Sequence, residues 1–220
     1  MPFLDGLQGA IIDLDGTLVD TLADFEQAIN ATFAELDLPS LPGESIGRMV
    51  GKGSEHLIRS ALAAVGGAPG HYPQAWAAYQ RHYEAINGRH AQLYPGAGEG
   101  LRALVGRGLR LACVTNKPGD FARALLQSKG IASQFQQVFG GDAFEQRKPH
   151  PLPLLRACEA LGTPPSATLV VGDSSNDALA ARAAGCPVVL VTYGYNHGQP
   201  VREVDADGFI DSIAELAHPA

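Results

Sequence analysis

Short apolar runs alternate with amphipathic stretches along most of this chain. Residues 10–14, 109–114, 168–171 and 187–191 are largely apolar at successive positions, with weaker runs at 137–139 and 208–210. A strand that is apolar on both faces belongs inside a parallel sheet, covered by helices on either side. The intervening stretches 98–105, 119–129, 151–161 and 177–184 carry apolar residues at helical spacing. This alternation predicts an α/β protein with a parallel sheet sandwiched between two helical layers.

One block breaks the alternation. Within 21–38, Leu22, Phe25, Ile29, Phe33 and Leu36 fall close to i, i+3, i+7 spacing, and 54–65 and 73–86 look similar. Residues 39–43 and 66–70 are turn-rich punctuation. The chain therefore reads as a core domain of residues 1–20 and 88–220 with a helical module, 21–87, inserted after the first strand. The return to the sheet is expected near Tyr94-Pro95-Gly96.

Composition narrows the partners. The formal charge is -7, from 16 basic and 23 acidic residues with no Lys/Arg cluster, which argues against a nucleic-acid surface. A small anionic substrate stays open, since two or three placed cations suffice for it. Cys113, Cys158 and Cys186 form no CxxC pattern and predict a reducing compartment. No apolar run reaches membrane-span length, and residues 1–9 lack the basic and apolar regions of a signal peptide. A cytoplasmic protein without a membrane or nucleic-acid partner is expected, as a monomer or homodimer.

Candidate chemistry sits at four strand ends. Asp13-Leu14-Asp15-Gly16-Thr17 closes the first strand, with two carboxylates leaving on one side. Thr115-Asn116-Lys117 follows 109–114 and offers hydroxyl and amide groups to an anion. Lys148 precedes a helix that opens with Pro151. Gly172-Asp173-Ser174-Ser175-Asn176-Asp177 follows 168–171, with Asp177 one helical turn beyond Asp173. Each cluster alone could be a turn, a helix cap or a solvated charge. Ligands of open parallel sheets bind beyond the carboxyl ends of the strands, so the four point to one place. Together they supply acids for a hard cation, donors for phosphate and one ammonium, the parts that phosphoryl transfer needs.

These motifs, in this order, resemble the haloacid dehalogenase superfamily over nearly the whole chain. The resemblance implies a Rossmann-like doubly wound core with an inserted all-helical cap domain. A closer likeness, to bacterial phosphoglycolate phosphatases, rests on 13–21 (DLDGTLVDT), 50–53 (VGKG), 87–90 (NGRH), 93–96 (LYPG), 114–118 (VTNKP) and 193–198 (YGYNHG). It implies Asp13 as nucleophile and Asp15 as general acid and base. It implies Mg2+ held by Asp13, the Asp15 backbone carbonyl and Asp173, with Asp177 close by or acting through water. Gly16, Thr17, Thr115, Asn116 and Lys148 would surround the phosphoryl group of a small phosphorylated metabolite, 2-phosphoglycolate being the first choice. Lys52, between Gly51 and Gly53, is the expected contact to the substrate carboxylate, ahead of Arg48 and Arg89. Another small phosphomonoester, or a sugar phosphomutase reaction, fits the same motifs. A dehalogenase would not need Asp15, Asp173 and Asp177, and a receiver module would lack the helical block.

Overall fold

The computed structural model describes residues 6–217. In chain order its elements begin with β1 (Gly9–Ile12), β2 (Val19–Asp20), α1 (Leu22–Glu35), α2 (Gly43–Gly47), α3 (Ser54–Ala64), α4 (Tyr72–Ile86) and β3 (Gln92–Leu93). They continue with α5 (Ala97–Gly106), β4 (Arg110–Val114), α6 (Gly119–Ser128), β5 (Gln137–Phe139) and α7 (Leu152–Leu161). The last are β6 (Thr168–Gly172), α8 (Ser175–Ala184), β7 (Val188–Val191) and β8 (Gly208–Ile210).

Six strands form one sheet in the order β5-β4-β1-β6-β7-β8, every neighbouring pair parallel. Alternation along β1 explains the two helical layers. Ala10 and Ile12 pack with Leu101 and Leu104 of α5 and Leu125 of α6. Ile11 points the other way, into a cluster with Leu154 and Ala157 of α7 and Ala181 of α8. Ile11 and Ile12 are fully buried, and each contributes about 1.5–3 kcal/mol through removal from water.

The chain winds outward from β1 to β4 and β5, then crosses to the far side of β1 for β6, β7 and β8. This reversal places a crevice beyond the carboxyl ends of β1, β4 and β6.

Residues 22–86 hold four helices with a hydrophobic cluster of their own. Phe25, Ile29, Phe33, Ile46, Leu57, Ile58, Tyr79 and Tyr83 are its larger members. Tyr83 stacks on Phe25 and on Tyr79, with ring centroids 5.2 Å apart in each pair. The helix α2 begins at Gly43, the last residue of the expected turn at 39–43; its Ile46 is completely buried, so packing rather than propensity holds this glycine-flanked segment. The chain leaves and re-enters the core side by side, because β2 and β3 pair antiparallel with Val19 opposite Leu93. The buried Asp24 carboxylate fastens the return, accepting the N–H groups of Gly88 at 2.6 Å and His90 at 2.8 Å. No helix among the described residues is long and apolar enough to cross a membrane.

Candidate active site

β1 stops earlier than the apolar run 10–14, and the reason is local. Asp13 extends the ladder by one bond, N–H to Val171 O at 2.9 Å. The backbone then curls around the Leu14 carbonyl, which accepts the N–H groups of Thr17, Leu18 and Val19. Gly16 makes this turn with φ +84°, and a Cβ there would lie 2.1 Å from Asp173 Oδ2. Gly194, beyond β7, approaches from the other side, where a Cβ would lie 2.2 Å from Asp173 Cβ. Two glycines thus let two loops close on one carboxylate.

Three acids meet there. Asp13, Asp173 and Asp177 each offer an oxygen, all within 4.8 Å of one another. Asp173 is set by the Tyr195 N–H at 2.5 Å and, at 3.4 Å, by the Thr17 hydroxyl. Asp177 is fixed by a capping box at the start of α8, its Oδ2 accepting the Ser174 hydroxyl at 2.8 Å and the Ser174 N–H at 3.2 Å. The buried Lys148 ammonium bridges the group, 2.9 Å from Asp13 Oδ1 and 2.7 Å from Asp177 Oδ1, and donates to Val114 O at 2.7 Å.

Electrostatics show what this cluster lacks. Burial pushes Asp13 up to about 7, with Lys148 opposing the shift and Asp177 adding to it. Burial, then the charges of Asp177 and Asp13, raise Asp173 well above the usual carboxylate range. Lys148 also suffers from burial, but Asp13 and Asp177 outweigh it and keep the ammonium charged. One ammonium touches two of the three carboxylates, Asp13 and Asp177, and Asp13 Oδ1 has this cation beside it but no hydrogen-bond donor in line. An all-oxygen set with excess negative charge fits a hard divalent cation such as Mg2+.

Asp15 stands apart from this cluster. Its carboxylate pairs with Lys117, whose Nζ lies 3.0 and 3.3 Å from the two oxygens. The same ammonium donates to the Tyr83 hydroxyl and sits 4.7 Å from the ring centres of Phe25 and Tyr83. Lys117 therefore joins the core loop after β4 to the helical block.

Between the two parts lies a cavity. Its core side is Asp13, Asp15, Thr115, Asn116 and Lys117; its helical side includes Phe25, Val50, Gly51, Gly53, Ser54, Leu57 and Tyr83. Thr115 lines it while its hydroxyl accepts the Lys117 N–H at 3.2 Å. Asn116 also lines it, yet its amide donates at 2.9 Å to both Gly51 O and Lys148 O, so it ties the segment before α3 to the core. Asn176 adds a second donor to Gly51 O at 3.1 Å. Gly16 and Thr17 back onto Asp173. Lys52 is exposed and outside the cavity lining, and its carbonyl accepts from Arg147 at 3.4 Å. His197 borders Gly51 and lies 3.2 Å from the Asn176 amide.

Sequence reasoning brought Asp13, Asp173, Asp177 and Lys148 to one point, but left Lys117 and Tyr83 out of the site. Lys117 adjoins Thr115 and Asn116, which was the available signal. Tyr83 looked like one more apolar position on a helix, and nothing local marks its reach to a lysine 34 residues away.

The sequence profile described as haloacid dehalogenase-like hydrolase matches residues 10–191. The phosphoglycolate phosphatase of Thiobacillus denitrificans is 43% identical over 214 residues, spanning 96% of this chain and 94% of that protein. That of Nitrosospira multiformis is 43% identical over 95% of this chain and 93% of its own length. The crystal structure of a predicted phosphoglycolate phosphatase from Haemophilus somnus superposes with a TM-score of 0.92 at 32% identity, covering 96% of each chain. With the profile spanning most of its length and relatives this similar from end to end, the chain belongs to the haloacid dehalogenase-like hydrolase family.

Proposed function

We propose that this protein is a Mg2+-dependent phosphomonoester phosphatase that hydrolyses 2-phosphoglycolate to glycolate and phosphate through an aspartyl-phosphate on Asp13. One observation carries the chemistry: at the sheet's switch point the Asp13 carboxylate shares the buried Lys148 ammonium with Asp177, and a third carboxylate, Asp173, lies within 4.8 Å of both. The choice of substrate is supported by the phosphatases this chain is similar to.

In this reading an Asp13 oxygen bonds to phosphorus as the bond from phosphorus to the glycolate oxygen breaks. Asp15, in its protonated form in the substrate complex, gives its proton to that departing oxygen and, now a carboxylate, takes one from the water that attacks phosphorus and frees Asp13. Lys148 stands beside Asp13 and balances charge on the transferring group, while Thr115 lines the same space. Asp13, Asp173 and Asp177 would hold the Mg2+, which when bound supplies positive charge to the phosphoryl oxygens. The helical block, residues 21–87, acts as a cap, walling the cavity with Phe25, Val50 and Leu57 and keeping bulk water from the acyl phosphate. The cytoplasm is the proposed location.

The test is kcat/KM for a panel of phosphomonoesters with Mg2+: phosphoglycolate, sugar phosphates, p-nitrophenyl phosphate and a sugar bisphosphate. Phosphoglycolate should lead the panel with release of inorganic phosphate. A leading sugar phosphate, or phosphoryl transfer without release, would overturn the proposal.

A further inference from the structure

Phosphoglycolate differs from a neutral ester of its size by one carboxylate, two bonds from the bridging oxygen. Resting on the proposed function, we infer that Lys117 is the residue that binds this carboxylate and sets the preference for acidic substrates. Among the described residues lining the cavity it is the one cation, and it shares that lining with Asp13 and Asp15. Asp13 and Asp15 are two residues apart, so their Cα atoms lie within roughly 7 Å. Lys117 Nζ is 3.0 Å from Asp15 and lines the same cavity as Asp13, so a two-carbon substrate whose phosphorus is at Asp13 would have its carboxylate in the space this ammonium borders.

The ammonium is also prepared for the contact. Its donors go to the two Asp15 oxygens, at 3.0 and 3.3 Å, and to the Tyr83 hydroxyl; a substrate carboxylate would take over the longer of the two Asp15 bonds. Its side chain is 2% exposed and its ammonium lies 4.7 Å from the centres of the stacked Phe25 and Tyr83 rings, so little rotamer freedom is left to lose on binding. The apolar wall of Phe25, Val50 and Leu57 lowers the local dielectric and strengthens a pair formed there. Lys52 lies in water outside this wall, where an ion pair gains little.

The experiment compares kcat/KM for phosphoglycolate and for 2-hydroxyethyl phosphate, which keeps the size and loses the charge. Native protein should prefer phosphoglycolate. Lys117→Met should erase that preference by about 10–100-fold, beyond any loss common to both esters through Asp15, and Lys117→Arg should restore part of it. An equal fall on both substrates would show that Lys117 serves Asp15 alone and would overturn the inference while leaving the proposed function intact. A native protein without preference for the charged ester would overturn both. Should Lys117→Met fail to fold, Lys117→Gln, which keeps a donor without the charge, reads the same ratio.

Discussion

Replacing Lys148 with Met tests how the cluster is held together. The two side chains have similar length, so the main loss is the charge. In the native protein this ammonium is 2.9 Å from Asp13, 2.7 Å from Asp177 and 2.7 Å from the Val114 carbonyl, at 4% exposure. Without it, three carboxylates within 4.8 Å face one another with no cation. Removing one partner of a buried ion pair costs about 3–5 kcal/mol, because the remaining charge stays buried. For a domain of this size each kcal/mol is worth about 2–4 °C, so melting should fall by roughly 6–20 °C. Thermal denaturation followed by circular dichroism, with chelator present, gives the number. Mg2+ should recover part of the loss by supplying charge to the same oxygens. A variant that melts within about 2 °C of the native protein would refute the claim that Lys148 is the ammonium these acids depend on.

Other outcomes follow from the same geometry. Mg2+ at about 100 times its Kd should stabilise the native protein by about 2.7 kcal/mol; Asp173→Asn should abolish most of the corresponding rise in Tm, read by thermal shift without substrate. Gly16→Ala should lower kcat at least about 100-fold, because its methyl group would occupy space 2.1 Å from Asp173 Oδ2; steady-state kinetics checks it. Asp24→Ala should cost about 1–3 kcal/mol in urea denaturation, since the N–H groups of Gly88 and His90 lose their acceptor.

Much of the core was legible in the sequence because burial on both faces leaves a plain signature. The runs that became β1, β4, β6 and β7 are mostly apolar where they pack, and those of β1, β4 and β6 lead into polar motifs. Asp13, Asp173 and Asp177 could be assembled on paper because the ends of parallel strands converge. The β2–β3 pair could not, since two residues on each side carry no periodicity. Helix α2 was hidden by its glycines and is held through Ile46. Lys117 and Lys52 looked alike as lysines in loops. Only the fold shows that one is enclosed against Asp15, 102 residues away, while the other faces water. Asn116 showed an amide suited to phosphate, but the chain that returns beside it in space supplies Gly51 and Lys148 carbonyls for that amide.

The central claim is that Asp13 takes the phosphoryl group. Turnover of phosphoglycolate with Mg2+ should be stopped with acid within milliseconds, and the digested protein examined by mass spectrometry. The account predicts one phosphoryl group on the peptide carrying Asp13, lost on longer incubation and absent from Asp13→Asn. Phosphate released at full rate by Asp13→Asn, or a phosphoryl group found on any other residue, would contradict it.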